Sequence, residues 1–441
     1  QVMSMAGIVA AIRDKIDVPY IDLSGEYWAL QNYPKEELQI GRDKEVENLI
    51  KFDTYDELDT HEGKSYDMVW VDEWRGEQVR SRLVVRQFNT EGPRDDIFAA
   101  TPDTFFMRFL LAHAAADHNR AIVVIDISVA FMHARSDENI VVKVPKDIKN
   151  TTPFWKLKAA INGTRKASQL WQEHSAEKLR GMGFQRNDVN PCIFWHPEFD
   201  FHFEQHGDDF LGSGLRKHAL EIKELFEHAF CCKKVEIVSN HRDDVKVTNF
   251  LKREIKVDEH GYHLEMDPRY AESLIHRCGL DSSKGAPTPM PKSCQRDPGD
   301  LLDKSGQKNF RGGAGVAQYM AEHRPDMAFA TKEVLRDGSA PGAGSVSRLK
   351  RIGRFIKTKP RAILDFEWSD LGSTLTATVD ADWAGDPKTR CSTSGGVVRL
   401  GTSLLKHWTT TQPTPSLSTA ESEMKAITKG CVELIYIQNL L

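Results

Sequence analysis

The sequence predicts an α+β protein, on three observations along its 441 residues. A β-branched run at residues 122–125 (Ile-Val-Val-Ile) ends on Asp126, as a buried strand ending on a carboxylate would. Alternating residues at 201–204 lead into a Gly-Asp-Asp turn at 207–209, which is typical of a hairpin. Residues 217–230 place their apolar side chains on one helical face, so a helix is expected to pack beneath that hairpin. Strands that alternate with helices in this way indicate mixed α+β layers.

Composition excludes several classes of protein. The seven cysteines are odd in number, scattered and never spaced as Cys-x-x-Cys, which argues against a disulfide framework and against a zinc ribbon. No apolar run is long enough for a membrane span, and no secretory signal is present, so we expect a soluble intracellular chain without a membrane partner. The length suits about three domains of roughly 150 residues each.

The negative charge is concentrated at the start of the chain. The net charge is −5 overall, but it is −10 over residues 1–79 and +5 over residues 80–441. We therefore predict an acidic, loosely ordered lead-in over residues 1–79, and the start at Gln1 rather than Met suggests a piece of a longer polyprotein. A net charge of +5 over residues 80–441 is only weak support for a polyanionic partner, because local patches of charge, and not the average, bind phosphates.

The remaining elements follow in order. Strand 82–86 precedes a helix that is capped by Thr101-Pro102 and runs through residue 114, and a second helix spans 167–182. The Pro- and Gly-rich stretch 279–315 predicts a linker and a domain boundary.

A basic helix is predicted after that linker. Residues 348–361 hold seven basic and no acidic side chains, and Leu349, Ile352 and Ile356 form an apolar face. Four cations fall along one side, as phosphate tracking requires; they are Lys350, Arg354, Lys357 and Arg361. The alternative is a solvated surface face.

The last unit begins with a strand that delivers Asp380 to its end. Strands follow at 395–400 and 403–409. A capping-box pattern at residues 418–421 then opens a helix. Its predicted apolar face consists of Met424, Ile427, Cys431 and Leu434.

Three carboxylates could form one metal site. Transfer of a nucleotide to a 3′-hydroxyl uses two divalent ions, and Mg²⁺ prefers carboxylate oxygens. Asp126 at a strand end and Asp208-Asp209 at a hairpin tip could converge if their strands are neighbours in one sheet. Taken alone, an Asp-Asp pair beside a Gly is more often just a turn.

Six motifs in order, the last of them made of three segments, resemble the reverse transcriptase and RNase H region of copia-type retrotransposons. Residues 82–88 resemble that family's fingers strand, and residues 126–131 (Asp-Ile-Ser-Val-Ala-Phe) its Asp-Val-x-x-Ala-Phe motif. Residues 156–171 resemble its Leu-Tyr-Gly-Leu-Lys-Gln-Ala-Pro-Arg-x-Trp stretch, and Asp208-Asp209 the paired Asp of Tyr-Val-Asp-Asp. The other matches are Arg324-Pro325-Asp326 and three RNase H segments at 380–386, 392–395 and 418–423. The resemblance covers roughly residues 80–441.

The resemblance implies a right-hand polymerase followed by a truncated RNase H-like α/β domain. Fingers and palm would occupy residues 80–240, thumb and connection 241–370, and the C-terminally incomplete RNase H-like domain 371–441. The implied activity is RNA-directed DNA polymerisation with two Mg²⁺ (or Mn²⁺) ions. Implied partners are an RNA template, a DNA primer, RNA–DNA hybrid, dNTPs and other parts of a retroelement polyprotein. The implied location is a cytoplasmic virus-like particle or the nucleus.

Carried over by position, Asp126, Asp208 and Asp209 would hold the two polymerase ions. Phe131 would lie under the incoming sugar and exclude a 2′-hydroxyl, although a plain core Phe is the alternative. Arg82 would contact the triphosphate, although an exposed strand Arg is an equally good interpretation.

Gly163 falls in the substrate-binding stretch. In the RNase H part, Asp380 and Glu423 match the first two metal carboxylates. Asp382, Asp386 and Glu421 are expected to be solvated neighbours or cap residues.

The sequence also departs from the family. His206-Gly207 stand where the family has Tyr-Val, and residues 163–168 (Gly-Thr-Arg-Lys-Ala-Ser) lose its proline. The family's further Asp-Asn motif does not occur before Leu441, which leaves at most two RNase H acids. One alternative is therefore a decayed or domesticated copy that binds RNA or RNA–DNA hybrid without polymerising. Another is a metal-dependent nuclease acting through Asp380 and Glu423 alone.

Overall fold

The computed structural model describes residues 33–88, 92, 94–149, 151–291 and 297–441. The helices are α1 (Lys35–Lys51), α2 (Thr104–Ala115), α3 (Ala167–Gly181), α4 (Arg216–Ala229), α5 (Arg269–Arg277), α6 (Lys304–Ala321), α7 (Pro325–Leu335), α8 (Ala343–Thr358) and α9 (Thr419–Gln438). The strands are β1 (Tyr55–Leu58), β2 (Tyr66–Arg75), β3 (Gln78–Val85), β4 (Arg120–Ile127), β5 (Val141–Lys143), β6 (Phe154–Leu157), β7 (Gln185–Arg186), β8 (Ile193–His196), β9 (Phe201–His206), β10 (Asp209–Leu215), β11 (Cys232–Val238), β12 (Val247–Phe250), β13 (Arg253–Asp258), β14 (Gly261–Met266), β15 (Ile363–Glu367), β16 (Leu375–Ala381), β17 (Thr393–Leu400) and β18 (Ser403–Thr411). These elements confirm the predicted α+β class. No helix in the described ranges is long and apolar enough to cross a bilayer.

The first sheet overturns part of the lead-in prediction. Its order is β1-β6-β5-β2-β3, and α1 packs against β3, so the chain is ordered from Lys35 and not loose up to residue 79. The predicted boundary at 79/80 falls inside the β2–β3 hairpin. The acidic residues of this segment do not make it loose, because some of them form ion pairs. Asp72 accepts from Arg42 at 2.8 Å, and Met68 on the same strand is buried. Residues 1–32 lie outside the described residues.

The second sheet carries the predicted carboxylates, and we call it the palm sheet. Its order is β11-β4-β10-β9-β8-β7, with every neighbouring pair antiparallel. Helices α3 and α4 cover one face through a core that includes Trp171, Phe203 and Phe226. The predicted helices at 167–182 and 217–230 and the predicted hairpin are thereby confirmed.

Helix α2 covers the opposite face of the palm sheet, where it packs against Val124 and Leu211. It begins at Thr104, three residues later than the predicted Thr101-Pro102 cap. The residue that caps it is Asp103, whose carboxylate accepts from the Phe105 N–H at 3.3 Å.

A third sheet, of order β12-β13-β14-β15, and helices α5 to α8 follow. The linker predicted over 279–315 is wrong from Lys304 onward, where α6 begins. Gly313 in that helix serves packing, because a Cβ there would lie 2.9 Å from the Leu349 side chain of α8.

The basic helix is confirmed as α8, and its predicted apolar face of Leu349, Ile352 and Ile356 is buried. The predicted positive stripe is partly wrong. Lys357 donates to three backbone carbonyls in residues 280–283 at 2.8–2.9 Å. Arg361 lies beyond the helix and pairs with Glu265. Lys357 and Arg361 therefore make contacts within the protein, whereas the side chain of Arg354 is exposed to solvent.

The C-terminal unit (residues 371–441) is a sheet of order β16-β17-β18 with α9 packed on it. The predicted apolar face of α9 is wrong at three of its four residues: Met424 is 61% exposed, and Ile427 and Cys431 are also exposed, whereas Leu434 packs partly buried against the core. The helix packs instead through Ala426 and Gly430, because only small residues allow it to approach β16 so closely.

One hydrophobic core joins the C-terminal unit to the palm sheet, because Leu405 and Ile437 pack in the same cluster as α2. Polar contacts reinforce the junction. Lys406 Nζ lies 2.7 Å from the carboxylate of Asp103, and the buried Arg108 donates to the Leu405 carbonyl oxygen at 3.0 Å. The predicted division at 370/371 therefore crosses a shared core.

Candidate active site

Strand register brings the polymerase-like aspartates together. Asp126, the seventh residue of β4, lies directly opposite Asp209, the first residue of β10. The Asp208 carbonyl oxygen accepts from the Ile127 N–H at 3.0 Å, which fastens the turn to the end of β4. Opposed residues in an antiparallel pair have Cα atoms about 4.5–5.5 Å apart. The structure thus confirms the neighbouring strands on which the predicted site depended.

Side-chain hydrogen bonds hold the turn that carries Asp208. Gly207 has φ +64°, a left-handed conformation that suits glycine in a two-residue turn. Its carbonyl oxygen accepts from Trp171 Nε1 at 2.7 Å and from the Gln205 side chain at 3.2 Å. Asp208 lies in the turn itself and Asp209 in the strand, so only the first of the pair is at the tip.

The carboxylates differ in environment. Burial, together with the charges of Asp208 and Asp126, raises the pKa of Asp209 to about 7. Lys233 donates to Asp126 Oδ2 at 2.7 Å. Lys233 lies where the register of β11 shifts against β4, and such a bulge redirects a side chain. The site therefore concentrates negative charge and already attracts one cation.

These residues fit a hard divalent ion. Carboxylate oxygens are the ligands that Mg²⁺ prefers, and a buried acid with a raised pKa beside two other acids gains from a neighbouring cation. The ligand atoms of the three aspartates are spread more widely than 4.8 Å. Among the described residues, the one set of three ligands within that distance is His113, Asp200 and His202, elsewhere on the palm sheet.

The arginines of β3 change the predicted triphosphate contact. Arg82 pairs with Glu73 of the adjacent strand at 2.7 Å. Arg80, two residues earlier and on the same face, is close enough for the charge of Asp208 to affect its pKa, although burial dominates and lowers that pKa. Arg80 is thus a functional candidate that sequence reasoning missed. Strand alternation from Arg82 could have indicated it.

Phe131 lies in the short helix Ala130–His133 and is partly buried against the palm core. The preceding Val129 has φ +47°, which is rare for a β-branched residue. Such backbone strain is typical of functional sites. The sugar contact of Phe131 stays a prediction.

Gly163 has a packing reason to be glycine. Its φ is +86°, and a Cβ would lie 2.1 Å from the Val85 carbonyl oxygen. The loop is fastened to β3, because the Val85 N–H donates to the Asn162 carbonyl oxygen at 2.8 Å. Gly163 therefore joins the loop to β3, and its substrate contact stays a prediction.

The two acids of the C-terminal unit lie on neighbouring elements, β16 and α9. Asp380 lies near the end of β16, and Glu423 on α9 accepts from the N–H of the next residue, Ala381, at 3.4 Å. Asp380 is exposed and Glu423 half-buried. Their metal-binding role stays a prediction.

The acids around this pair have structural roles. Asp386 is not solvated: it is 5% exposed and ion-paired with Arg336, which follows α7. It accepts from the Lys388 N–H at 2.9 Å, as a cap residue would. Asp382 accepts from the Thr393 N–H at 2.7 Å. Glu421 accepts from the Leu417 N–H at 2.7 Å, as expected for a cap residue.

Comparison with known proteins agrees with this geometry. The structure of a foamy viral protease-reverse transcriptase in complex with double-stranded DNA superposes with a TM-score of 0.54 at 11% identity, covering 95% of this chain and 65% of that one. The fold is that of a polymerase of the reverse transcriptase type.

The sequence model of the reverse transcriptase (RNA-dependent DNA polymerase) family matches residues 61–292. Similar proteins include the Pol polyprotein of transposon RE2 from Arabidopsis thaliana, 27% identical over 82% of this chain. Another is the Pol polyprotein of transposon TNT 1-94 from Nicotiana tabacum, 23% identical over 93% of this chain. The chain belongs to the reverse transcriptase family, in its copia-type retrotransposon branch. It spans 25% and 32% of the length of those two relatives.

Proposed function

We propose that this chain is the RNA-directed DNA polymerase region of a copia-type Pol polyprotein and works by two-metal nucleotidyl transfer. The observation that carries the proposal is the cross-strand pairing of Asp126 with Asp209, with Asp208 in the adjoining turn.

Asp126, Asp208 and Asp209 would hold two Mg²⁺ (or Mn²⁺) ions. Bound there, the ions would activate the primer 3′-hydroxyl and neutralise the leaving phosphates. In the absence of metal ions, Lys233 offsets the charge of Asp126. Its side chain is mostly exposed and can turn away at little cost.

The β2–β3 hairpin, which we call the fingers hairpin, would supply the groups that contact the nucleotide. Arg80 would contact the dNTP triphosphate, with Arg82 beside it once it leaves Glu73, because guanidinium groups bind phosphate oxygens in pairs. Phe131 would exclude the 2′-hydroxyl of a ribonucleotide and so select dNTPs.

The proposed nucleic-acid partners are an RNA template, a DNA primer and their hybrid. Arg354 of α8 is exposed and would contact the phosphates of the nucleic acid from the predicted thumb. Because the chain spans about a quarter to a third of its relatives, other parts of the same polyprotein are proposed partners, in a cytoplasmic particle or the nucleus.

Primer extension on an RNA template tests the polymerase. The wild-type chain is compared with Asp208→Asn and with Asp243→Asn, a matched change at an exposed loop acid. We expect Mg²⁺-dependent dNTP incorporation that is lost in Asp208→Asn and kept in Asp243→Asn.

The competing function is binding without synthesis, and the His206-Gly207 variation beside Asp208 motivates it. No extension in Mg²⁺ or Mn²⁺, with salt-sensitive hybrid binding retained in all three proteins, would establish it.

For the C-terminal unit we propose a partial RNase H module in which Asp380 and Glu423 contribute metal ligands. Cleavage of the RNA strand of a hybrid, lost in Asp380→Asn and kept in the nearby exposed control Asp370→Asn, would support it. Equal cleavage by both variants would contradict it.

A further inference from the structure

A second group of metal-ligand side chains lies at the far end of the palm sheet. His113 lies in the last turn of α2, Asp200 precedes β9, and His202 lies in β9. Asp200 Oδ2 lies 3.7 Å from His113 Nε2, and Asp200 Oδ1 lies 3.7 Å from His202 Nε2. These distances are too long for hydrogen bonds. They approach the roughly 3.4 Å that separates ligands around a tetrahedral ion with bonds of about 2.0–2.1 Å.

Polar groups hold the ring of His113 in place. The Arg120 guanidinium approaches both ring nitrogens, Nε2 closely and Nδ1 at 3.2 Å. Nδ1 also lies 2.9 Å from Ser213 Oγ. Metal-bound histidines usually have their second ring nitrogen held in this way.

Arg120 is the group that a metal ion would have to displace. It donates to Asp200 Oδ2 at 2.5 Å and so neutralises that carboxylate. The Asp200 side chain is 58% exposed, however, and ion pairs at exposed carboxylates contribute little. Two imidazoles and a carboxylate bind a transition-metal ion much more strongly than one carboxylate binds a guanidinium.

We propose that His113, Asp200 and His202 bind Zn²⁺, with Arg120 as the competing cation. Imidazole ligands favour Zn²⁺ over Mg²⁺. Arg120 and Asp126 are six residues apart on β4, which at about 3.3 Å per residue separates the two sites by roughly 20 Å. The ion would tie the end of α2 to β9 and so brace the palm sheet at the end opposite to its aspartates.

Zinc titration of the full chain against a chelating indicator tests the proposal. The proteins are the wild type, His202→Gln, Asp200→Asn and the control His260→Gln, whose side chain is 76% exposed. We expect one saturable site that is weakened at least tenfold in His202→Gln and Asp200→Asn and unchanged in His260→Gln. Millimolar Mg²⁺ should not compete for it.

Two further variants test the roles of the surrounding groups. Arg120→Gln should bind Zn²⁺ several-fold more tightly, because the competing cation is removed. Ser213→Ala should bind it about tenfold more weakly, because the ring of His113 loses its partner.

Thermal unfolding without zinc checks that His202→Gln is folded. Zinc should then raise the Tm of the wild type but not that of His202→Gln. Equal zinc affinity in wild type and His202→Gln would place the ion elsewhere, for example on cysteines. Absence of saturable binding in both wild type and Arg120→Gln would make the cluster an arginine-centred ion-pair network. Neither result depends on primer extension, so this proposal and the polymerase proposal fail separately.

Discussion

The palm sheet and the C-terminal unit both present acidic pairs, but they assemble them differently. In the palm, Asp126 and Asp209 face each other across two hydrogen-bonded strands, and burial raises the pKa of Asp209. In the C-terminal unit, Asp380 is an exposed residue of β16, and Glu423 on α9 accepts from the N–H of the next residue, Ala381.

The difference shows how a sheet can force like charges together. Backbone hydrogen bonds set the separation of Asp126 and Asp209, so repulsion between them cannot be relieved by moving apart. The exposed Asp380 is solvated instead. A bound cation should therefore stabilise the palm pair, Asp126 and Asp209, more than it stabilises Asp380 and Glu423.

The largest expected effect is on primer extension, which should depend on the palm aspartates and not on Asp380. Asp209→Asn should lower the rate of primer extension by about a hundredfold or more, because a charge-stabilising group is removed from the site. Asp380→Asn should leave extension unchanged. Extension rates on one RNA template decide the matter, and a large loss in Asp380→Asn would show that the sites are coupled.

Burial should also make palm stability depend on pH. Glu204, on the α2 face of β9, is fully buried, and burial raises its pKa to about 8 from an unfolded value of about 4.3. The unfolded state then loses the proton first as pH rises. Stability should fall by up to about 1.4 kcal/mol per pH unit between pH 4.3 and 8.

Urea unfolding across that pH range measures this effect. Glu204→Gln should flatten the decline and be the more stable protein at pH 8. Glu259→Gln, at an 81% exposed side chain, should keep the wild-type profile. A decline that persists in Glu204→Gln would assign it to other groups.

Packing of the C-terminal unit should depend on its small residues. Gly430→Val should destabilise the protein by about 1–3 kcal/mol, because even a Cβ would lie 2.9 Å from Val379. Met424→Gln should change stability by less than about 0.5 kcal/mol, because that side chain is exposed. Unfolding free energies of both variants test this, and the opposite ranking would restore the predicted apolar face of α9.

The smallest effect concerns the cation at Asp126. Lys233→Met should lower the Mg²⁺ concentration for half-maximal extension by up to about fivefold, since an exposed ion pair contributes about 0–1 kcal/mol. Lys223→Met, on an exposed face of α4, is the control. An unchanged Mg²⁺ requirement would mean that Lys233 does not compete with the ion.

Much of the fold could be predicted from local patterns. The β4 strand, the β9–β10 hairpin and helices α3, α4 and α8 follow from periodicity and turn chemistry, which depend on neighbouring residues. The errors arose where partners were distant. The net charge of the residues before 80 predicts a loose segment, but Asp72 pairs with Arg42 in the folded chain. The buried face of α9 is set by how closely the helix approaches β16.

The candidate site divides in the same way. Local motifs identify Asp126, Asp208 and Asp209 as a group worth testing. The sequence does not show that Asp126 faces Asp209, that Lys233 donates to Asp126, or that the charge of Asp208 acts on the pKa of Arg80. Those facts depend on strand register, a bulge and the placement of the fingers hairpin. Each of these is set by contacts between residues far apart in the chain, and so only the tertiary structure decides them.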